Sequence, residues 1–128
     1  MRLAAKGHAE AVIAETLVAL AREGLQSDTR FVEIFVRSRI ARGQGPVKIR
    51  AELGNRGIDR ELTRMALDDT QHTDRVDWFA LACDTLAKRF ADPGGIPRER
   101  ARRERFLAGR GFDFDQVRYA LSHAWDDS

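Results

Sequence analysis

Apolar residues recur along this chain at intervals of three and four, the spacing that gives an α-helix one face to bury. Val12, Ile13, Thr16, Leu17 and Leu20 share one such face. Trp78, Leu81, Ala82, Leu86 and Phe90 share another, and Val117, Ala120, Leu121 and Ala124 a third. The pattern predicts helices near residues 9–23, 28–42, 46–55, 59–71, 74–91, 97–109 and 114–125. Pro46 and Pro97 both fall where a helix begins, and a missing amide costs nothing in the first turn.

The chain also repeats on a longer scale. Leu3-Ala4-Ala5-Lys6-Gly7, Leu53-Gly54-Asn55-Arg56-Gly57-Ile58 and Leu107-Ala108-Gly109-Arg110-Gly111-Phe112 share a leucine followed by a basic-Gly pair. In each copy an apolar residue returns 14 positions after that leucine, at Leu17, Leu67 and Leu121. The copies are 50 and 54 residues apart. A helix, a glycine stop and a second helix explain the pattern. Gly7, Gly57 and Gly111 are the expected structural turns, because glycine enters the left-handed conformation that ends a helix. Asp59 and Asp113 stand two residues on, placed as N-caps, and Gln116 completes a partial capping box with Asp113.

The run Phe31, Ile34/Phe35 and Val36-Arg37-Ser38-Arg39-Ile40 parallels Leu81 and Leu86-Ala87-Lys88-Arg89-Phe90, so a full unit reads as three helices. A three-helix unit of about 50 residues buries little apolar surface alone, so neighbouring units are expected to share a core. The expected fold is all-α: tandem three-helix repeats packed in an elongated, curved array. The expected divisions are a partial first repeat at 1–27, a second repeat at 28–72 and a third at 73–128.

Composition sharpens this in one respect, the placement of charge. The 22 basic and 20 acidic residues nearly cancel, but they are unevenly distributed. From Ile34 through Ala51 there is no acidic residue, while Arg37, Arg39, Arg42, Lys48 and Arg50 contribute five positive charges. From Pro97 through Arg110, six arginines stand against Glu99 and Glu104. Equivalent positions of two repeats are therefore basic, which suggests a positive stripe along the stacked units. Solvated helix faces explain many such clusters. Arginine outnumbers lysine 19 to 3, however, and its planar fork binds carboxylate or phosphate bidentately. A polyanion is the implied partner, either a nucleic-acid backbone or an acidic protein groove.

Catalytic chemistry leaves no trace. His8, His72 and His123 are scattered, with no carboxylate or cysteine at ligand spacing, so no metal site and no cofactor is expected. Cys83, the single cysteine, lies among small apolar residues and reads as core. Gly43-Gln44-Gly45-Pro46 lacks the Gly-Lys-Ser/Thr ending of a phosphate loop, and it reads as a loop for close helix packing. Trp78 fits a core stripe, and Trp125 is expected to close the last unit more than to anchor a partner. No signal peptide or membrane span is expected, and the lone cysteine fits a reducing compartment. A cytoplasmic, non-enzymatic monomer is the expectation.

Longer motifs carry a specific resemblance. Phe31-x3-Phe35-Val36-Arg37-x-Arg39 followed by Gly43-x-Gly45-Pro46-x-Lys48-Ile49-Arg50-x-Glu52-Leu53-x2-Arg56-Gly57-Ile58 resembles the central repeat of the RecX family. Arg103-x-Arg105-Phe106-Leu107-x2-Arg110-Gly111-Phe112-x4-Val117-x2-Ala120-Leu121 resembles its last repeat. Trp78 and Lys88-Arg89-Phe90 resemble the helix joining them, and Leu25-x2-Asp28-x2-Phe31 the end of the first repeat. Family members usually carry more sequence ahead of the position of Leu3, so the first repeat is expected to be shortened to two helices.

The resemblance implies a regulator of RecA recombinase that lodges in the groove of a RecA–DNA filament or at its growing end. It implies suppression of filament growth, ATP hydrolysis, strand exchange and co-protease activity, and hence modulation of DNA repair, recombination and the SOS response. Arg37, Arg39, Arg42, Lys48 and Arg50 are the first candidate surface for RecA or DNA, and Arg98, Arg102, Arg103 and Arg105 the second. The expected partner is the RecA filament, with single- or double-stranded DNA reached through the basic face. The alternative is a direct DNA-binding protein of helix-turn-helix type, although no helix shows the Asn/Gln/Arg mix of base readout.

Overall fold

The computed structural model describes residues 2–126, with side chains from residue 15 onward except at 21 and 25. Six helices and no strand occur among the described residues. They are α1 (Arg2–Ala41), α2 (Pro46–Asn55), α3 (Arg60–Thr73), α4 (Trp78–Arg89), α5 (Pro97–Gly109) and α6 (Phe114–His123). The expected bounds of α2 and α5 coincide with those observed.

The two helices expected at 9–23 and 28–42 are instead one, the 40-residue α1. Gly7 lies inside it and is not a turn. A lone glycine costs a helix only about 1 kcal/mol against alanine, and Ala4, Ala5, Lys6, Ala9, Glu10 and Ala11 around it are strong helix formers. Gly24 is spanned in the same way. The chain divides within α1 into two compact units, Met1–Phe31 and Val32–Ser128. The first is a stretch of helix with no second element of its own. Its expected buried face is correspondingly open, with Leu17 61% and Leu20 57% exposed. Thr16 is exposed as well, while Val12, Ile13 and His8 lie outside the described side chains.

The second unit contains two three-helix layers. In one, the end of α1 supplies Val32, Phe35 and Val36, α2 supplies Ile49 and Leu53, and α3 supplies Leu67, all buried. In the other, Ala82 and Leu86 of α4, Leu107 of α5 and Val117 and Ala120 of α6 form one cluster with Phe112. Leu81, Phe90, Phe106 and Trp125 pack around its edge. Trp125 closes the unit as expected, and its indole N–H donates to the Phe90 carbonyl at 2.9 Å.

The helix ends follow their local chemistry. Asp59 accepts the Glu61 amide at 2.7 Å, and Asp113 with Gln116 makes a complete capping box. Helix α4 starts four residues later than expected, at Trp78. Asp77 caps it, accepting the Phe79 and Ala80 amides at 2.9 and 3.3 Å, and Arg75 at φ 55° turns the chain just before. Gly57 and Gly111, at φ 80° and 96°, are the expected turns. After each, the next amide reaches back to the carbonyl five residues earlier, Ile58 to Leu53 at 3.1 Å and Phe112 to Leu107 at 3.2 Å. Gly43, at φ 75°, ends α1 identically, with the Gln44 amide on the Arg39 carbonyl at 3.0 Å.

The two layers meet backbone to backbone. The Gly45 amide donates to the Arg110 carbonyl at 2.8 Å and the Val47 amide to the Gly111 carbonyl at 2.9 Å. These amides belong to the start of α2, which has no side-chain cap, so the neighbouring turn takes the place of a capping residue. Pro46 between them has no amide to satisfy. The contact leaves no space: a Cβ on Gly45 would stand 2.4 Å from the Gly111 carbonyl oxygen, and one on Gly111 would stand 2.2 Å from the Lys48 Cβ. The Gly43–Pro46 loop is thus a close-packing loop, as expected, but it packs repeat against repeat.

Candidate interaction surface

The expected basic residues fall into two groups once their neighbours are known. Arg37 pairs with Asp74 at 3.2 Å and Arg39 with Glu52 at 3.1 Å. The Arg39 guanidinium also stacks over the Phe35 ring, 4.4 Å from its centroid. Arg103 is a correction. Its side chain is only 9% exposed, and it donates to the Asp92 carbonyl at 2.8 Å, the Glu99 carbonyl at 2.9 Å and the Asp92 carboxylate at 3.2 Å. It lies over the Phe90 ring at 4.4 Å. Arg103 therefore ties the 90–96 connection to α5 and is not a surface contact. Sequence placed it in a run of arginines but could not say which one faced inward.

The remaining expected residues make no ion pair with a described carboxylate. Arg42, Arg50, Arg98, Arg102 and Arg105 are exposed, and Lys48 is half-buried beneath the Gly111 turn. Elsewhere cations are neutralised locally. Arg64 binds Glu61 and, at 2.8 Å, Asp68, and it holds the Glu61 carboxyl below the usual carboxylate range by hydrogen bonding and by charge.

Three further cations, Lys88, Arg89 and Arg110, come to light only in three dimensions. With Arg42 they line a groove of about 380 Å³ at the joint between the layers, against a single carboxylate, Asp84. Arg110 donates to the Arg42 carbonyl, while its Nε is buried without a partner among the described residues. Phe106, Leu81 and Ile40 form the apolar part of the groove. The basic-Gly motif contained Arg110, but nothing in its spacing pointed to Arg42, 68 positions away.

No group of three or more metal-ligating side chains occurs among the described residues. His72 contacts the Asp68 carbonyl through Nδ1 at 2.7 Å, and His123 the Asp126 carboxylate at 2.8 Å, both at helix ends. Cys83 is half-buried at the edge of the apolar cluster, and burial pushes its thiol up from the ordinary value. No described helix is long and apolar enough to cross a membrane.

Two family models match in tandem: the second three-helix domain of RecX over residues 27–67 and the third over 76–121. The chain belongs to the RecX family. A regulatory protein RecX of Chromohalobacter salexigens is 62% identical over 99% of this chain and 81% of its own length. That of Halorhodospira halophila is 43% identical over 98% and 76%, and that of Neisseria meningitidis serogroup C 35% identical over 99% and 79%. The matched RecX three-helix domains fall on the two layers, and the residues of the joint between them, Gly45 and Val47 in one and Arg110 and Gly111 in the other, lie inside the matched ranges. RecX proteins are regulatory, and the helical repeats seen here are the RecX fold.

Proposed function

We propose that this RecX protein binds RecA filaments and restrains filament growth, ATP hydrolysis, strand exchange and co-protease activity, as a cytoplasmic monomer without catalysis of its own. The observation that carries the reading is the set of unneutralised cations on two adjoining repeats. Arg42, Lys48 and Arg50 come from one repeat and Arg98, Arg102 and Arg105 from the next, none with a described carboxylate partner. Exposed cations without internal partners remain available to an acidic protein surface or to filament DNA. Arg37 and Arg39 contribute less, because Asp74 and Glu52 already neutralise them.

The test is RecA's DNA-dependent ATP hydrolysis with this protein added at less than one copy per RecA. Strong inhibition is expected. Reversing the charge of Arg42 and Arg50 together with Arg98, Arg102 and Arg105 is expected to abolish it while helicity, read by circular dichroism, is kept. Inhibition retained by that folded variant would refute the assignment.

A further inference from the structure

We propose that the exposed aromatic row where α4 packs on α6 binds an arginine-bearing basic segment of a partner protein. Helix α4 buries Trp78, Ala82, Thr85 and Leu86, and α6 buries Gln116, Val117 and Ala120. Phe79 and Tyr119 each stand one position from a buried residue, turned by about 100° around their helix. Their rings meet edge to face at the surface, with centroids 5.3 Å apart, and remain 39% and 44% exposed as residues. The exposed His123 ring, one turn further along α6, continues the row with its centroid 4.4 Å from that of Tyr119. Rings left at the surface add little to the core of the protein, and they offer a partner large, rigid contact area.

Two observations give the chemistry of the partner. The first is the behaviour of the other rings. Phe35, Phe90, Phe106 and Phe114 each carry an arginine of this chain over the ring, 4.4 to 5.9 Å from the centroid. Among the described residues no cation lies over Phe79 or Tyr119 in this way. The second is the charge around them. Asp77 caps the helix that begins beside Phe79, Asp115 stands one turn before Tyr119, and Asp126 lies 2.8 Å from His123 Nδ1. All three carboxylates are exposed. No described cation pairs with Asp77 or Asp115, and His123 neutralises Asp126 only when protonated. Arg118, beside Tyr119 in sequence, is drawn onto Phe114, 5.5 Å from its centroid.

The face of an aromatic ring carries partial negative charge and attracts a cation, and a carboxylate at its edge adds a second attraction. A guanidinium suits both. It is weakly hydrated, stacks flat on a ring and donates to a carboxylate in a bidentate pair. An acidic segment would be repelled by Asp77, Asp115 and Asp126, and a purely apolar one would leave their charges unmatched. The row therefore differs in kind from the cation sets on which RecA binding rests, and it carries the opposite charge.

The test omits RecA, so its outcome is separate from that of the ATPase experiment. The probe is a fluorescent peptide of alternating arginine and glycine, about eight residues long, its anisotropy titrated with the full chain at low salt. The chain carries a net charge of +2, so its overall charge does not favour a cationic peptide and binding reports a local site. Binding is expected, and tighter than for the lysine counterpart. Phe79→Leu/Tyr119→Leu keeps apolar bulk, removes the ring faces and is expected to weaken binding about fivefold. Asp115→Asn/Asp126→Asn is expected to weaken it about fivefold and to lessen its salt dependence. Glu33→Gln/Asp69→Asn removes the same charge from exposed positions outside the row and is expected to change affinity less than about twofold. Circular dichroism checks that each variant is folded. Absence of peptide binding would overturn the proposal, as would equal losses in the two charge variants or unchanged binding by the leucine double variant. So would a dimer in sedimentation that the leucine double variant dissolves, because the row would then hold a second copy of this chain.

Discussion

The turns at Gly57 and Gly111 are written alike and used differently. Each follows a Leu-x2-Arg-Gly motif, each glycine has positive φ, and each is closed by the same pair of backbone hydrogen bonds. Around Gly57 nothing lies within 4 Å of where a Cβ would be, whereas at Gly111 that position is 2.2 Å from the Lys48 Cβ and 2.7 Å from its backbone nitrogen. One glycine serves its turn alone. The other serves its turn and the joint, and so the same local motif carries two different constraints.

The largest expected effect is at that joint. Gly111→Ala adds a clash with α2 to the strain of a left-handed alanine, and about 3 kcal/mol or more of stability is expected to be lost. Gly57→Ala, which meets open space, is expected to lose only the conformational part, about 1 kcal/mol. Chemical denaturation of both variants measures the difference, and equal losses would dissolve the comparison. Next in size is Arg103→Ala, expected to cost about 2 kcal/mol, because the buried guanidinium satisfies the Asp92 and Glu99 carbonyls. The same substitution at exposed Arg105 is expected to change stability by less than about 0.5 kcal/mol.

The smallest effect concerns Cys83, at the edge of the third repeat. Burial, followed by the Asp84, Asp126 and Asp77 carboxylates, raises its thiol above the ordinary value of 9.0. A raised folded-state value means that the folded protein holds this proton more tightly than the unfolded chain. The corresponding stability is present below the unfolded value and is lost as pH rises through the folded one. A modest decline in stability is expected above about pH 9, absent from Cys83→Ala. Slow labelling by a thiol reagent at neutral pH, accelerated by denaturant, is expected from the same cause.

Much of the third repeat was legible from local signals. Asp113 and Gln116 announce a capping box, Pro97 a helix start, and the Trp78–Leu86 and Val117–Ala124 spacings a shared core. Gly7 misled because its motif lacks what makes Gly57 a stop: Ile58 and Asp59 follow Gly57, one half-buried and one capping a new helix, while Gly7 is followed by His8 and Ala9. The basic residues were visible as a class and not as individuals. Arg37, Arg39 and Arg103 differ from Arg42 and Arg98 only in what stands across from them in space.

Sequence by itself determined the existence of helices α2 to α6, the caps at Asp59 and Asp113, the glycine stops at 57 and 111 and the tandem relation of the repeats. These depend on residues within a few positions of one another, where propensity and hydrogen bonding act. Tertiary structure alone decided which arginines are neutralised, why Gly45 and Gly111 must both lack a side chain, and that Arg42 and Arg110 face one groove. Those outcomes depend on contacts between residues far apart in the chain, such as the 2.8 Å bond from Gly45 to Arg110. No local spacing encodes such a contact, because packing of whole repeats sets it.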